Sequence, residues 1–127
     1  MGKREGPVVC GRMERFMEPC LILLLLESPA HGYELLERLG QFGFEGGSAD
    51  AASMYRTLRR LEEEGMLVSQ WEESEAGPPK RSYRVTQEGC RLLGRWRETI
   101  KANKSRLERF LKLCDHFFEG DEAECTP

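Results

Sequence analysis

Residues 53–67 read SMYRTLRRLEEEGML, and this stretch decides the fold of the 127-residue chain. Its apolar side chains Met54, Leu58 and Leu61 follow one another at steps of four and three residues. Because an α-helix has about 3.6 residues per turn, this spacing places the three side chains on one face. Gly65 is then expected to end the helix. The stretch therefore predicts an amphipathic helix whose apolar face lies in the core of a domain.

A second helix precedes this one and is joined to it by a turn. Residues 31–39 read HGYELLERL, which carries an apolar stripe at helical spacing and is closed by Gly40. The connector over residues 42–47 is rich in glycine, and Ser48 or Asp50 is expected to cap the N-terminus of the following helix. Two helices joined in this way indicate a helix-turn-helix.

A further helix is predicted upstream, from about residues 12–14 to Glu27, where the Ser-Pro pair at 28–29 stops it. Pro19 is accepted in a first turn and would otherwise bend the helix. The apolar run over residues 20–26 is seven residues long, whereas a membrane helix needs ~20. We therefore expect a core helix, no membrane segment and no signal peptide, and a cytoplasmic protein.

A β-hairpin is predicted after the helix-turn-helix. Residues 66–73 and 80–85 have the composition and alternation of strands, and the turn SEAGPP lies between them at residues 74–79. A hairpin directly after a helix-turn-helix is typical of a winged helix-turn-helix. The expected fold class is mainly α with a small β-hairpin, followed by a long C-terminal helix.

The C-terminal helix is predicted to be capped by Thr86 and to continue to about residue 118. Its apolar positions recur at steps of three and four, as in a heptad repeat. Folding back on the winged domain would cover part of this stripe, whereas a second copy of the chain would cover all of it, so we predict a homodimer. The predicted dimer interface comprises Leu93, Trp96, Ile100, Asn103, Leu107, Phe110 and Phe117.

Two members of this stripe have alternative interpretations. Asn103 either fixes the register of the paired helices through a buried polar contact or faces water at a break in the stripe. Trp96 either meets its copy near the centre of the dimer and lines an apolar pocket, or packs in an ordinary core, which the pattern favours.

Basic side chains on the 53–67 helix and on the hairpin predict binding to double-stranded DNA. Arginines on the outward face of the second helix of a helix-turn-helix can contact phosphates or guanine edges in the major groove. The alternative is a solvated face in which these arginines pair with the glutamates at 62–64. Positive charge on the hairpin, which could lie along the phosphate backbone, favours DNA. The predicted DNA-binding residues are Arg56, Arg59 and Arg60 of the helix with the flanking Ser53 and Tyr55, and Lys80 and Arg81 of the hairpin.

The net charge of −3 hides an uneven distribution. Five acidic residues and no basic ones follow Lys112, so the remainder of the chain is mildly basic. Local charge, not net charge, therefore decides which partner the protein binds. We expect residues 119–127 to form an acidic tail.

The sequence contains no constellation that predicts catalysis or metal binding. The five cysteines form no C-x-x-C pair, which argues against a zinc site or a disulfide framework and favours reduced thiols. His31 lies near a helix start, where a capping or packing role is favoured over catalysis. Neither a Ser-His-Asp set nor a phosphate-binding glycine loop is recognisable. We expect no enzyme activity, no metal and no cofactor.

Taken together, these stretches resemble the PadR family of bacterial transcriptional regulators. The resemblance rests on residues 31–39, 53–67 and 77–89 (GPPKRSYRVTQEG), and on the long C-terminal helix. Within the family the chain is most similar to the poly-β-hydroxybutyrate-responsive repressors, on the basis of the Pro-Cys-Leu-rich helix at 19–26 and the Phe-Gly-Phe connector at 42–44.

The resemblance implies a homodimeric repressor that binds operator DNA and is released by an effector, either a hydrophobic compound or polyhydroxybutyrate. The alternative is a non-catalytic adaptor or polymer-granule-associated protein with the same fold. The expected organisation is a flexible arm over residues 1–12, a winged helix-turn-helix domain over 13–86, a dimerisation helix over 87–118, and the tail.

Overall fold

The computed structural model describes residues 15–118 and Cys125. The predicted arm over residues 1–12 and the tail over 119–127, apart from Cys125, lie outside the described residues. The elements, in chain order, are α1 (Met17–Glu27), β1 (Ala30–His31), α2 (Gly32–Arg38), a 3₁₀ turn (Leu39–Phe42), α3 (Ser48–Glu63), β2 (Leu67–Glu72), β3 (Lys80–Val85) and α4 (Gln87–Asp115). The described residues belong to two units, residues 15–96 and the residues from 97 onward.

Helix α1 begins later than its sequence predicts. Arg15 has a φ of 60°, which an α-helix does not accommodate, and α1 begins at Met17 instead of at residues 12–14. Pro19 is the third helical residue, where its missing N–H breaks no bond within the helix. The helix ends at Glu27, as the following Ser-Pro pair predicts.

The sheet of the winged unit has three antiparallel strands in the order β1-β3-β2. The predicted hairpin is confirmed, with Leu67 opposite Val85 at one end and Glu72 opposite Lys80 at the other. The sequence did not predict β1, whose two residues pair with β3. A strand of two residues is too short to show an alternation in sequence, and only its pairing reveals it.

The core of this unit lies between α1, α2 and α3. The predicted inward face of α3 is confirmed, because Met54, Leu58 and Leu61 are completely buried. Helix α1 contributes an almost continuous apolar surface that includes Leu21 and Ile22, also completely buried. Burying these side chains fixes which face of α3 points outward.

The cap of α3 differs from the one predicted. Gly47 occupies the N-cap position, and neither Ser48 nor Asp50 caps the helix. The carboxylate of Asp50 instead accepts hydrogen bonds from the backbone N–H groups of Glu45 and Gly46, at 2.8 and 3.0 Å. Asp50 therefore holds the preceding connector against the first turn of α3.

The predicted cap of α4 is confirmed. The Thr86 hydroxyl accepts the backbone N–H of Gly89 at 3.1 Å and donates to the carbonyl of Gly65 at 2.6 Å. A Cβ at Gly89 would lie 2.3 Å from the carbonyl oxygen of Met66 and 2.7 Å from a methyl of Val85. The start of α4 therefore packs on the strands so closely that only glycine fits.

The second unit contains the C-terminal part of α4, which ends at Asp115, three residues before the predicted end. Large apolar side chains are exposed in this unit, including Leu107 and Phe110 on α4 and Phe117 in the turn just after it. No helix within the described part of the chain is both long enough and apolar enough to cross a membrane.

Replacing Gly89 with alanine is expected to destabilise the winged unit by about 1–3 kcal/mol, because the new methyl group meets backbone that cannot move away. Gly94→Ala is the matched control on the same helix, since a Cβ there meets nothing within 4 Å. The control should be neutral or stabilising by about 0.5–1 kcal/mol. Urea unfolding measures both, and equal effects at the two positions would contradict the packing argument.

Candidate nucleic-acid interface

The outward face of α3 carries most of the side chains predicted to bind DNA. Tyr55, Arg56 and Arg59 are exposed, and Ser53 is half-buried one turn before Arg56. An Arg56 Nη donates to the Ser53 hydroxyl at 3.2 Å. Among the described residues, no carboxylate forms an ion pair with Arg56 or Arg59. These two guanidinium groups are therefore available to an anionic ligand.

Tyr55 is held in place by the start of α2. A Cβ at Gly32 would lie 2.7 Å from the Cε1 and Oη atoms of Tyr55. The tyrosine ring therefore packs on the backbone of the other helix of the helix-turn-helix, while the residue as a whole remains 46% exposed. Sequence reasoning did not assign Gly32 to the site, because its contact with Tyr55 depends on how the two helices cross.

Arg60 does not share this outward face, contrary to the sequence-based expectation. Its Nη1 donates to the buried carboxylate of Glu18 at 2.8 Å and to Glu64 at 3.3 Å. The contact with Glu64 is the i,i+4 pair that the alternative interpretation foresaw. The guanidinium group of Arg60 is therefore paired with two glutamates of the protein.

Arg81 joins the hairpin to α3. Its Nε donates to the hydroxyl of Ser69 at 2.8 Å, and its Nη2 donates to Glu62 Oε1 at 3.0 Å. The Ser69 hydroxyl in turn donates to Glu62 Oε2 at 2.5 Å. The guanidinium also lies 5.5 Å from the ring centroid of Trp71, which is 66% exposed. We name the set of Glu62, Ser69 and Arg81 the hairpin clamp.

Lys80 lies at the start of β3 and contacts α2. Its Nζ donates to the Tyr33 hydroxyl at 3.2 Å and lies 4.9 Å from the centre of that ring. Lys80 remains exposed, so its ammonium group can still reach a ligand. Sequence reasoning did not assign Tyr33, whose contact with Lys80 spans two distant parts of the chain.

His31 links the start of α2 to the hairpin. Its Nδ1 lies 2.9 Å from Glu34 Oε1, its Nε2 lies 2.7 Å from Glu72 Oε1, and its ring stacks on that of Tyr33. The backbone N–H of His31 donates to the Glu34 carboxylate at 3.0 Å and is the main cause of the lowered pKa of that carboxyl. The contacts of His31 fit the capping and packing role expected for it.

The residues predicted for a dimer interface fall into two groups. Leu93 packs against the core, and the Trp96 indole N–H donates to Glu18 at 2.6 Å, both within the winged unit. The remaining predicted residues lie in the second unit: Ile100 and Asn103 are half-buried, while Leu107, Phe110 and Phe117 are 42, 62 and 50% exposed.

No group of three or more histidine, cysteine or acidic side chains that could hold a metal occurs in the described part of the chain. Burial raises the pKa of the Cys20 thiol to about 12. Because the thiolate is the reactive form of cysteine, Cys20 is a core residue with little reactivity at neutral pH.

Comparison with known proteins identifies the family. The sequence model of the transcriptional regulator PadR-like family matches residues 21–95, which include the helix-turn-helix and the hairpin. The chain belongs to this family. The PadR-like fold places the basic face of α3 beside a hairpin in a winged-helix, DNA-binding architecture. No curated protein sequence matches the chain.

Solved structures share this fold. A conserved protein of unknown function, described as a potential transcriptional factor, is 33% identical with a TM-score of 0.68, and the match covers 84% of this chain and 95% of the other. A PadR family regulator from Eggerthella lenta is 30% identical with a TM-score of 0.58, covering 72% and 80%. A PadR-like transcription factor from Bacteroides fragilis is 28% identical with a TM-score of 0.59, covering 74% and 88%.

Glu62→Gln is expected to loosen the hairpin clamp of this PadR-like protein and to lower the free energy of unfolding by about 0.5–1 kcal/mol, since Arg81 is partly exposed. Glu63→Gln is the control, because Glu63 is an exposed neighbour outside the clamp. Urea unfolding at low and high salt measures the effect, which should shrink as salt screens the pair. An equal loss in both variants would show that the clamp contributes nothing.

Proposed function

We propose that this PadR-like chain is a cytoplasmic transcriptional repressor, which binds operator DNA as a homodimer and is released from it by an effector. The observation that carries this proposal is the juxtaposition of exposed Tyr55, Arg56 and Arg59 on α3 with a hairpin that Arg81 holds against the same helix. Family membership supports DNA binding, and the side chains support a particular mode of contact.

The two exposed arginines of α3 are the proposed base and phosphate contacts. A guanidinium can donate two hydrogen bonds to the O6 and N7 atoms of guanine in the major groove, which admits one α-helix. Tyr55 and Ser53 carry hydroxyl groups that can donate to phosphate oxygens and so orient the helix. Lys80 is the proposed phosphate contact of the hairpin.

Arg81 and Arg60 are proposed to act differently from the sequence-based expectation. Each already donates to a glutamate of the protein. The free energy needed to break such a pair would offset part of the free energy that a new phosphate contact supplies. We assign Arg81 mainly to fixing the hairpin beside α3.

The exposed stripe on the second unit supports the proposed homodimer. Leu107, Phe110 and Phe117 are large apolar side chains in water at the spacing of a helical seam, which a second copy of the helix would bury. A dimer also suits the geometry of an operator. The two copies of α3, which are the proposed recognition helices, can enter successive turns of the major groove when they lie about 34–36 Å apart.

The effector is proposed to act by favouring a dimer geometry in which the two recognition helices no longer match the groove spacing. It can do so only to the extent that it binds this geometry more tightly than the DNA-binding one. The resemblance to poly-β-hydroxybutyrate-responsive repressors makes soluble 3-hydroxybutyrate oligomers the first effectors to assay, followed by other hydrophobic compounds.

Arg59→Ala is expected to weaken binding to DNA from upstream of the protein's own gene by about tenfold or more, because it removes a charged donor from the groove. Fluorescence anisotropy of labelled DNA measures the dissociation constant. For the wild type, raising NaCl from about 50 to about 200 mM should weaken binding at least tenfold through counterion uptake by the DNA.

Arg95→Ala is the matched control for this experiment, since it removes the same charge from an exposed position on α4. It should change binding by less than about twofold. Equal binding by Arg59→Ala and the wild type would contradict the proposed docking mode. If the wild type binds no part of the upstream region more tightly than it binds random DNA, the adaptor alternative is favoured.

Phe110→Glu is expected to raise the dissociation constant of the dimer by at least about 100-fold, because it places a charge in the apolar seam. Sedimentation velocity over a concentration series measures the mass of the particle. Ser105→Glu is the control, because it introduces the same charge at an exposed polar residue of α4 that does not belong to the apolar stripe. A dimer that survives Phe110→Glu, or a monomeric wild type, would contradict the proposed interface.

A further inference from the structure

Glu18 is the one charged side chain buried among the described residues of the protein, with 5% of its surface exposed. It lies in the first turn of α1, and its two carboxylate oxygens have different partners. Oε1 accepts from Arg60 Nη1 of α3 at 2.8 Å and from Arg15 at 3.3 Å. Oε2 accepts from the indole N–H of Trp96 on α4 at 2.6 Å.

This arrangement ties α3 to α4 through a single carboxylate. If either helix shifts or rotates, one of the buried carboxylate oxygens loses a hydrogen-bond donor. The free-energy cost of an unpaired charged group is far larger in the interior than in water. Core packing sets which face of α3 points outward, and the pairing with Arg60 adds a directional constraint on the rotation of α3 about its axis. Arg56 and Arg59 lie on the turn just before Arg60, so the same rotation sets where their guanidinium groups point.

A need for stability does not account for a carboxylate at this position. The side chains that form the surrounding core are almost all hydrocarbon, and apolar replacements of buried ion pairs elsewhere are often as stable as the pair. In some proteins a buried polar or ionic group selects one geometry among several similar ones. The geometry selected here is the orientation of the recognition helix relative to the N-terminal part of α4.

We propose that Glu18 is a positioning residue for DNA binding, whose carboxylate locks the rotation of α3 to α4 through Arg60 and Trp96. The proposal rests on the proposed function, since it presumes that α3 enters DNA. In this proposal the part of α4 that belongs to the winged unit also influences DNA binding. A change in the position of Trp96 then changes operator affinity without any contact between α4 and DNA.

A double-mutant cycle on Arg60 and Trp96 tests the lock without altering Glu18 itself. Arg60→Met and Trp96→Phe each remove one donor and keep most of the side-chain volume. Operator affinity, measured by anisotropy, should fall about tenfold in each single variant. The double variant should be no weaker than the weaker single one, because both residues act through the same carboxylate.

A spectroscopic signature supplies the second readout. The chain has two tryptophans, so Trp71→Phe leaves Trp96 as the only one. In this background, operator binding should change the emission of Trp96, and adding Glu18→Gln should abolish the change and weaken operator binding about tenfold. Glu37→Gln in the same background is the control, since it neutralises an exposed glutamate of α2, and should preserve the change in emission.

The outcomes separate the lock from the proposed function. Independent, multiplicative losses in the cycle, or an unaltered Trp96 response in Glu18→Gln, would overturn the positioning role while the protein still binds its operator. A purely structural role for Glu18 would lower the urea midpoint and leave the operator affinity of the folded protein unchanged, which also overturns the proposal. Failure of the Trp71→Phe parent and of the wild type to bind operator would overturn the proposed function and the inference together.

Discussion

The burial of the apolar face of α3 against α1 is the constraint on which the rest of the structure depends. Leu58 and Leu61 are completely buried, as are Leu21 and Ile22 of α1, and an interior packed at this density allows little rotation of either helix. Once that face is inside, Arg56 and Arg59 must lie outside. The basic surface of this PadR-like protein is therefore a geometric consequence of its core.

The basic residues near that surface divide into two kinds. Arg56 and Arg59 point into solvent, whereas Arg60 and Arg81 are each held by a glutamate of the protein. The residue type alone does not distinguish these kinds, because all four side chains are arginines with the same formal charge. The difference matters for function, since a held arginine sets the position of an element and an exposed one is available to a ligand.

Two sets of polar contacts hold other parts of the winged unit in a defined position relative to α3. The hairpin clamp joins β2 and β3 to the C-terminal half of α3, and the Glu18 carboxylate joins α1 and α4 to the same helix. Both use charge-assisted hydrogen bonds, which depend strongly on direction and distance. Apolar packing decides which face of α3 points outward, and these polar contacts add directional constraints that hold the hairpin and α4 against that helix.

The sequence by itself determined the order of helices and hairpin, the inward face of α3, the cap at Thr86 and the family resemblance. All of these depend on residues close together in the chain, through helical periodicity, strand alternation and local hydrogen bonding. Only the tertiary structure decided that Arg60 turns inward, that a two-residue strand joins the sheet, and that Trp96 contacts Glu18. These contacts join residues 42 and 78 positions apart or pair a strand too short to show a period, so no local pattern encodes them.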